Sequence, residues 1–288
     1  MKNYLSLSLL IILSILFACS DDENQEKNVT DIEAIPQIEL SEHLKMDSGA
    51  VRMFTMPTPL QVATSLKLMN SEYHIELLLP HNNNSFKSDI DMALGLGAYV
   101  VDMGYTTVYN NYQESINYGQ DIQALMEKLN ISHYVNQSFV DRFKNNVDHQ
   151  DSLCHIILST YHQAHSYFND DEGLGLLILT GAYVEGLYLA TQNLSSSKWQ
   201  QEQETIYIQQ KLFLDNFILL LSGYQQNSNV KAVVNQLKAI EKAFLQVVVF
   251  SDPDKDGDYV LEKPMTKESK NNIKKVVSKV RNQLLKGQ

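Results

Sequence analysis

Two long apolar helical segments carrying the same internal signature constrain this chain more than any other feature. Leu96-Gly97-Ala98-Tyr99-Val100 lies in one and returns as Thr180-Gly181-Ala182-Tyr183-Val184 in the other, 84 residues later. The first apolar run extends over residues 86–109 and the second over 174–191, and each precedes an amphipathic, tyrosine-containing segment. Two tandem α-helical units packed face to face, over about 85–168 and 169–250, account for the echo. Chance identity between Ala- and Gly-containing helices is the competing reading.

Around these segments the pattern is helix after helix. Thr58 and Pro59 open a helix whose face holds Val62, Leu66, Met69 and Tyr73 at helical spacing, with Pro80 as its stop. Residues 82–85 read as a loop and cap. Tyr112, Ile116, Leu125 and Leu129 mark a further helix, Phe139, Phe143 and Val147 a short one, and Leu153, Ile157, Thr160, Ala164 and Tyr167 the next. Ile208, Leu212 and Phe217 carry another as far as Leu221, and Val230, Val233, Leu237, Ile240 and Phe244 form the cleanest heptad. Thr266 caps a last helix with Ile273, Val276, Val280 and Leu284 on one face. The β-branched run Val247-Val-Val-Phe250 and Tyr259-Val-Leu261 across a turn fit a small hairpin near 246–262. The predicted class is all-α, a multi-helix bundle or short helical array of two pseudo-repeated units with that one hairpin.

Candidate site residues gather on the echo helices. Asp102 lies near Tyr99, Tyr105 and Tyr109, and Glu185 near Tyr183 and Tyr188. A lone carboxylate in an apolar helix is costly to bury without a hydrogen-bond partner, and a tyrosine hydroxyl can supply one. If the helices pack, the two acids face each other across the pseudo-symmetry and one is pushed toward holding its proton, which suits acid/base work or cation binding. The competing reading is structural: each acid braces a neighbouring helix through tyrosine, and Gly97, Gly104, Gly181 and Gly186 permit close helix approach.

Other chemistry is thinner. His149, His155, His162 and His165 cluster, but the set lacks a His-Glu-x-x-His arrangement and an identifiable third ligand, so a solvated polar face is the plainer reading. Asp252, Asp254, Asp256 and Asp258, with Gly257, match the opening of a Ca²⁺ loop. Its twelfth position is Lys263 rather than a bidentate acid, and its flanks are strand-like, which favours an acidic turn. Ca²⁺ is the only cofactor these residues raise. Cys154 reads as a small buried hydrophobe.

The amino-terminal region differs from the rest. Lys2 precedes an apolar core over residues 5–18 that is too short for an ordinary membrane helix. That core ends in Leu16-Phe17-Ala18-Cys19, which resembles a bacterial lipobox, and Ser20-Asp21-Asp22-Glu23 resembles the acidic export tag of Bacteroidetes surface lipoproteins. With Gly97-Ala-Tyr-Val-Val-Asp-Met-Gly-Tyr105 and Gly181-Ala-Tyr-Val-Glu-Gly-Leu-Tyr188, the chain is similar to uncharacterised all-helical Bacteroidetes lipoproteins of the outer membrane. The resemblance implies a signal peptide over 1–18, a lipid on Cys19, an acidic tether over 19–55 and a helical domain over 56–288. It brings no catalytic residue.

A net charge of −11 opposes nucleic-acid binding, which depends on Lys and Arg neutralising phosphates. The same balance opposes docking on an anionic membrane through a basic patch, so attachment falls to the lipid on Cys19. The sequence lacks a nucleophile elbow, a phosphate loop and a dinucleotide fingerprint. The expectation is a lipid-anchored envelope protein, without enzymatic activity, whose helical domain binds a partner protein or ligand in the envelope. Fifteen tyrosines favour contact surfaces. The rival expectations are a small-molecule or glycan pocket lined by Tyr99, Tyr105, Tyr183 and Tyr188, and a hydrolase using Asp102 and Glu185.

Overall fold

The computed structural model describes residues 59–82, 85–132, 139–146, 149–165, 172–193, 200–224, 226, 228–250, 259–261 and 265–285. The chain divides into two units, residues 1–37 and 38–288, and every described residue lies in the second. Cys19, the tether and the acidic turn at 252–258 lie outside the described residues.

Nine α-helices are present among the described residues: α1 (Pro59–Leu68), α2 (Asp89–Val108), α3 (Tyr112–Lys128), α4 (Phe139–Lys144), α5 (Gln150–His165), α6 (Glu172–Asn193), α7 (Gln200–Ser222), α8 (Ser228–Phe244) and α9 (Lys267–Leu285). A 3₁₀ turn, Ile75–Leu77, lies between α1 and α2. The fold is all-α. Two three-residue segments, β1 (Val248–Phe250) and β2 (Tyr259–Leu261), pair antiparallel with Val249 opposite Val260.

The two echo helices form the centre. Of the twenty residues of α2, sixteen are buried, which is why its sequence is apolar on every side. It packs against α6, α3, α1, α5 and α9, while α6 also lies along α9 and α1. Among the described residues α6 alone is long and apolar enough to cross a bilayer, and most of that apolar length is buried inside the protein.

At the α2–α6 crossing the contact is backbone to backbone. A methyl group on Gly97 would sit 1.8 Å from the carbonyl oxygen of Ile178, and one on Gly181 1.8 Å from that of Leu94. Leu94 and Ile178 stand 84 residues apart, as the two glycines do, so the contact is reciprocal. Beyond the crossing the halves differ: α2 lies along the helix that follows it, α3, whereas α6 lies along α9.

The first helix is shorter than its apolar spacing predicts. It ends at Leu68, well before Pro80, because Asn70 takes the left-handed conformation (φ 53°). The amide of Asn70 then donates to Lys67 O and that of Ser71 to Leu66 O, which satisfies the last carbonyls. Asn110 ends α2 and Asn130 ends α3 in the same way, at φ 63° and 61°. The start of α2 also differs from the predicted cap at 82–85. Ser88 Oγ accepts from the Asp91 amide while the Asp91 carboxylate accepts from the Ser88 amide, a reciprocal cap. Thr266 caps α9 as predicted, accepting from the Ser269 amide.

Candidate functional site

Ending α1 early leaves residues 69–82 as a mostly non-helical strap laid across the bundle. Most of its backbone groups have no helix of their own to bond within, so other partners must satisfy them. Side chains do so. Tyr109 donates to Ser71 O at 3.0 Å, Tyr118 to Leu79 O at 2.7 Å and Tyr99 to Pro80 O at 2.8 Å. The hydroxyl of Tyr105 accepts from the His74 amide at 3.1 Å and donates to Glu72 O. The rings of Tyr73 and Tyr105 stack and both meet Tyr109 at a tilt, with centroids 4.7–5.7 Å apart.

Two ionisable side chains also fasten the strap, and they belong to a buried triad. Asp102 on α2 accepts from the Leu79 amide at 3.0 Å through Oδ2. Arg281 on α9 donates through Nη2 to Leu77 O at 3.0 Å. The same guanidinium grips Glu185 on α6, with Nε to Oε2 at 2.8 Å and Nη2 to Oε1 at 2.7 Å. It lies 4.3 Å from the ring centroid of Tyr188. Asp102 and Glu185 are 0 % exposed and Arg281 1 %. Sealing ions away from water is expensive, so such a group persists only when its members are bonded.

The electrostatics follow from that burial. Asp102 is held well above the usual carboxyl range, first by desolvation and then by the charge on Glu185, with Arg281 and the Leu79 amide pulling the other way. The Tyr73 hydroxyl is pushed up to about 12 by burial and by the charges of Glu114, Tyr105, Asp102 and Glu76. Burial also raises Tyr105, Tyr109, Tyr118 and Tyr188. These hydroxyls are neutral at neutral pH.

A second charged cluster closes the far end of the strap. His81 Nδ1 lies 2.6 Å from Asp121 Oδ2 and its Nε2 lies 2.8 Å from Glu114 Oε2, both acids being on α3. Asp121 also accepts from the Asn82 amide, and the imidazole lies 4.3 Å from the Tyr118 ring.

The structure thus brings Asp102 and Glu185 together, joined by Arg281. They are not equivalent positions of the echo, since 84 residues after Asp102 stands Gly186. Nor do the acids bond to tyrosine hydroxyls: the hydroxyls of Tyr99, Tyr105 and Tyr109 go to strap main chain, which has greater need of partners. Tyr183 is buried and donates to Gln210 O on α7 at 3.0 Å. Nearby on α7 the buried Lys211 pairs with Asp215 one turn on. Gly186 faces the Val62 side chain at ordinary distance. Cys154 is half-buried against the core. Of the clustered histidines, His149 and His155 are exposed, and the side chains at 162 and 165 lie outside the described residues. Among the described residues, no three His, Cys, Asp or Glu side chains are arranged to hold a metal.

Sequence reasoning missed Arg281. On α9 the buried residues are Ile273, Val277, Val280, Arg281 and Leu285, a face rotated from the predicted Ile273, Val276, Val280 and Leu284. Placing position 281 four residues after Val277 on the apolar stripe was the available signal. His81, Glu114, Tyr118 and Asp121 left no such signal, being ordinary polar positions in a loop and an amphipathic helix. No protein-family model, curated protein or solved structure matches this chain.

Proposed function

We propose that the protein is a lipid-anchored envelope protein, held to the outer membrane through Cys19, whose helical domain is a non-enzymatic module that binds a partner protein. The observation that carries this reading is the burial of the carboxylate pair on the two echo helices. Asp102 and Glu185 are fully enclosed and committed to Leu79, Arg281 and each other, so neither is presented to a substrate. The hydroxyls of Tyr99, Tyr109, Tyr118 and Tyr183 hold main-chain carbonyls rather than lining a ligand pocket. Acylation makes the anchor firm because each buried methylene contributes roughly 0.8 kcal/mol.

The test is metabolic labelling with a clickable fatty acid in cells producing the wild-type chain or Cys19→Ser. Label on wild type alone, with the variant released from the membrane fraction, is the expected result. Equal labelling, or an uncut amino terminus on mature protein, overturns the anchor. In-cell crosslinking from the helical domain then reads out the partner. A domain that crosslinks to nothing but copies of itself, or that hydrolyses an envelope polymer, overturns the rest.

A further inference from the structure

We propose that Asp102 is protonated in the folded protein and donates through Oδ1 to the Glu185 carboxylate, so that the buried triad holds one negative charge against Arg281 and a single proton cross-links α2 to α6. The reasoning begins with hydrogen-bond valence. An ionised carboxylate only accepts. Asp102 Oδ2 has its donor in the Leu79 amide, but Oδ1, fully buried, has none. Arg281 does not fill the gap, since its hydrogen bonds run to Glu185 and to Leu77 O. The acid that acts on Asp102 is Glu185, buried like it and gripped by the same Arg281 that reaches the strap beside Leu79, and two acceptors pair only when one of them carries hydrogen. Arg281 grips Glu185 through two N–H groups, which marks Glu185 as the ionised member and leaves the proton to Asp102.

The surrounding charges agree. From the strap, α2, α3 and α6, the titratable side chains whose charge reaches Asp102 are Tyr73, Tyr105, Tyr118, Tyr188 and Glu185, and from α9 Arg281. All four tyrosines are shifted upward and stay neutral at pH 7. Among the described residues Arg281 is therefore the one cation acting on these two acids, and a second bare carboxylate would lie in a dry core without compensation. This protonation state does not depend on what the protein binds or where it is anchored.

The folded chain then holds a proton that the unfolded chain releases near pH 4. A raised folded value means the contribution is whole below that pH and disappears as pH climbs through the folded value. Asp102→Asn is the decisive variant, because an amide donates to Glu185 and accepts from Leu79 without titrating. Urea unfolding of the full chain is followed from pH 5 to 7 in both proteins. The ratio of the wild-type unfolding constant to that of Asp102→Asn should rise about tenfold per pH unit until the folded value is passed. Parallel curves overturn the proposal. Should Asp102→Asn not fold, carboxyl ¹³C shifts of aspartate-labelled wild type decide it. One buried aspartic acid still protonated at pH 7 is the expected spectrum, and ionised carboxylates throughout would refute it.

Discussion

Two sites in this molecule have the same composition, one cation between two acids, and resolve it differently. In the core, Arg281 binds Glu185 in a two-point grip and leaves Asp102 to the Leu79 amide. At the strap's outer end, His81 touches both Asp121 and Glu114, one through each ring nitrogen, with about a third of its side chain exposed. With both ring nitrogens facing carboxylates, the imidazole is positioned as a double donor and thus as a cation. Water damps the surplus negative charge there, and no acid needs to give up its ionisation. In the core there is no such damping, and the surplus is removed by geometry and protonation. Burial, more than composition, determines what a charged triad does.

That contrast can be broken most forcefully at Arg281. Arg281→Met removes the cation of the triad while keeping side-chain length, and should destabilise the fold by about 3–5 kcal/mol in urea titration. Adding Glu185→Leu should recover much of the loss, since replacing both charged members by apolar ones is often neutral. A double variant no better than the single would show that the grip contributes more than mutual neutralisation.

The scaffold beneath the triad comes next. Gly181→Ala places a methyl group 1.8 Å from Leu94 O, so α2 and α6 must separate. The expected loss lies near the upper end of the roughly 1–3 kcal/mol seen for overpacking, read as a fall in thermal midpoint. Gly186→Ala is the internal control: its methyl group meets Val62 at 3.5 Å, and the change should be neutral or favourable by up to about 1 kcal/mol. Equal effects at both positions would refute direct backbone contact.

Tyr118→Phe tests how the strap is held. It strips the donor from the buried Leu79 carbonyl and should cost about 1–3 kcal/mol, with faster amide exchange across residues 71–82 as the specific readout.

The smallest effect belongs to His81. Burial lowers its proton affinity, but Glu114 and Asp121 outweigh burial and the net shift is upward from 6.5. A raised folded value means its contribution is complete below about pH 6.5 and fades as pH rises through that folded value. His81→Gln should therefore lower stability at pH 6 by no more than about 1 kcal/mol and hardly at all at pH 9. An equal loss at both pH values would mean that the ring acts by packing on Tyr118 rather than by charge.

Much of the bundle was legible in sequence because helical apolar spacing reports directly on the buried face. The echo glycines and the stripe of α8 lie where the pattern puts them, and all seven buried positions of α8 include the predicted heptad. Legibility failed where a local backbone choice overrode periodicity. Met69 and Tyr73 continue the apolar spacing of α1, yet Asn70 turns left-handed and ends the helix between them. Asparagine tolerates that conformation at a C-terminus, and Met-Asn-Ser, Tyr-Asn-Asn and Leu-Asn-Ile all use it. Asp102 and Glu185 stood out as charges in apolar helices. Their cation did not, because an arginine in a lysine-rich helix reads as a surface residue until the helix is rotated correctly.

The bond from Arg281 to Leu77 joins positions 204 residues apart. A ribosome delivers the amino-terminal side of that link long before the carboxy-terminal side exists. Until α9 arrives, Glu185 has no counter-ion and Leu77 O lacks its donor, so the nascent bundle cannot lock. Closure of the domain is thereby deferred to the end of synthesis, as the long loop it must close would also dictate.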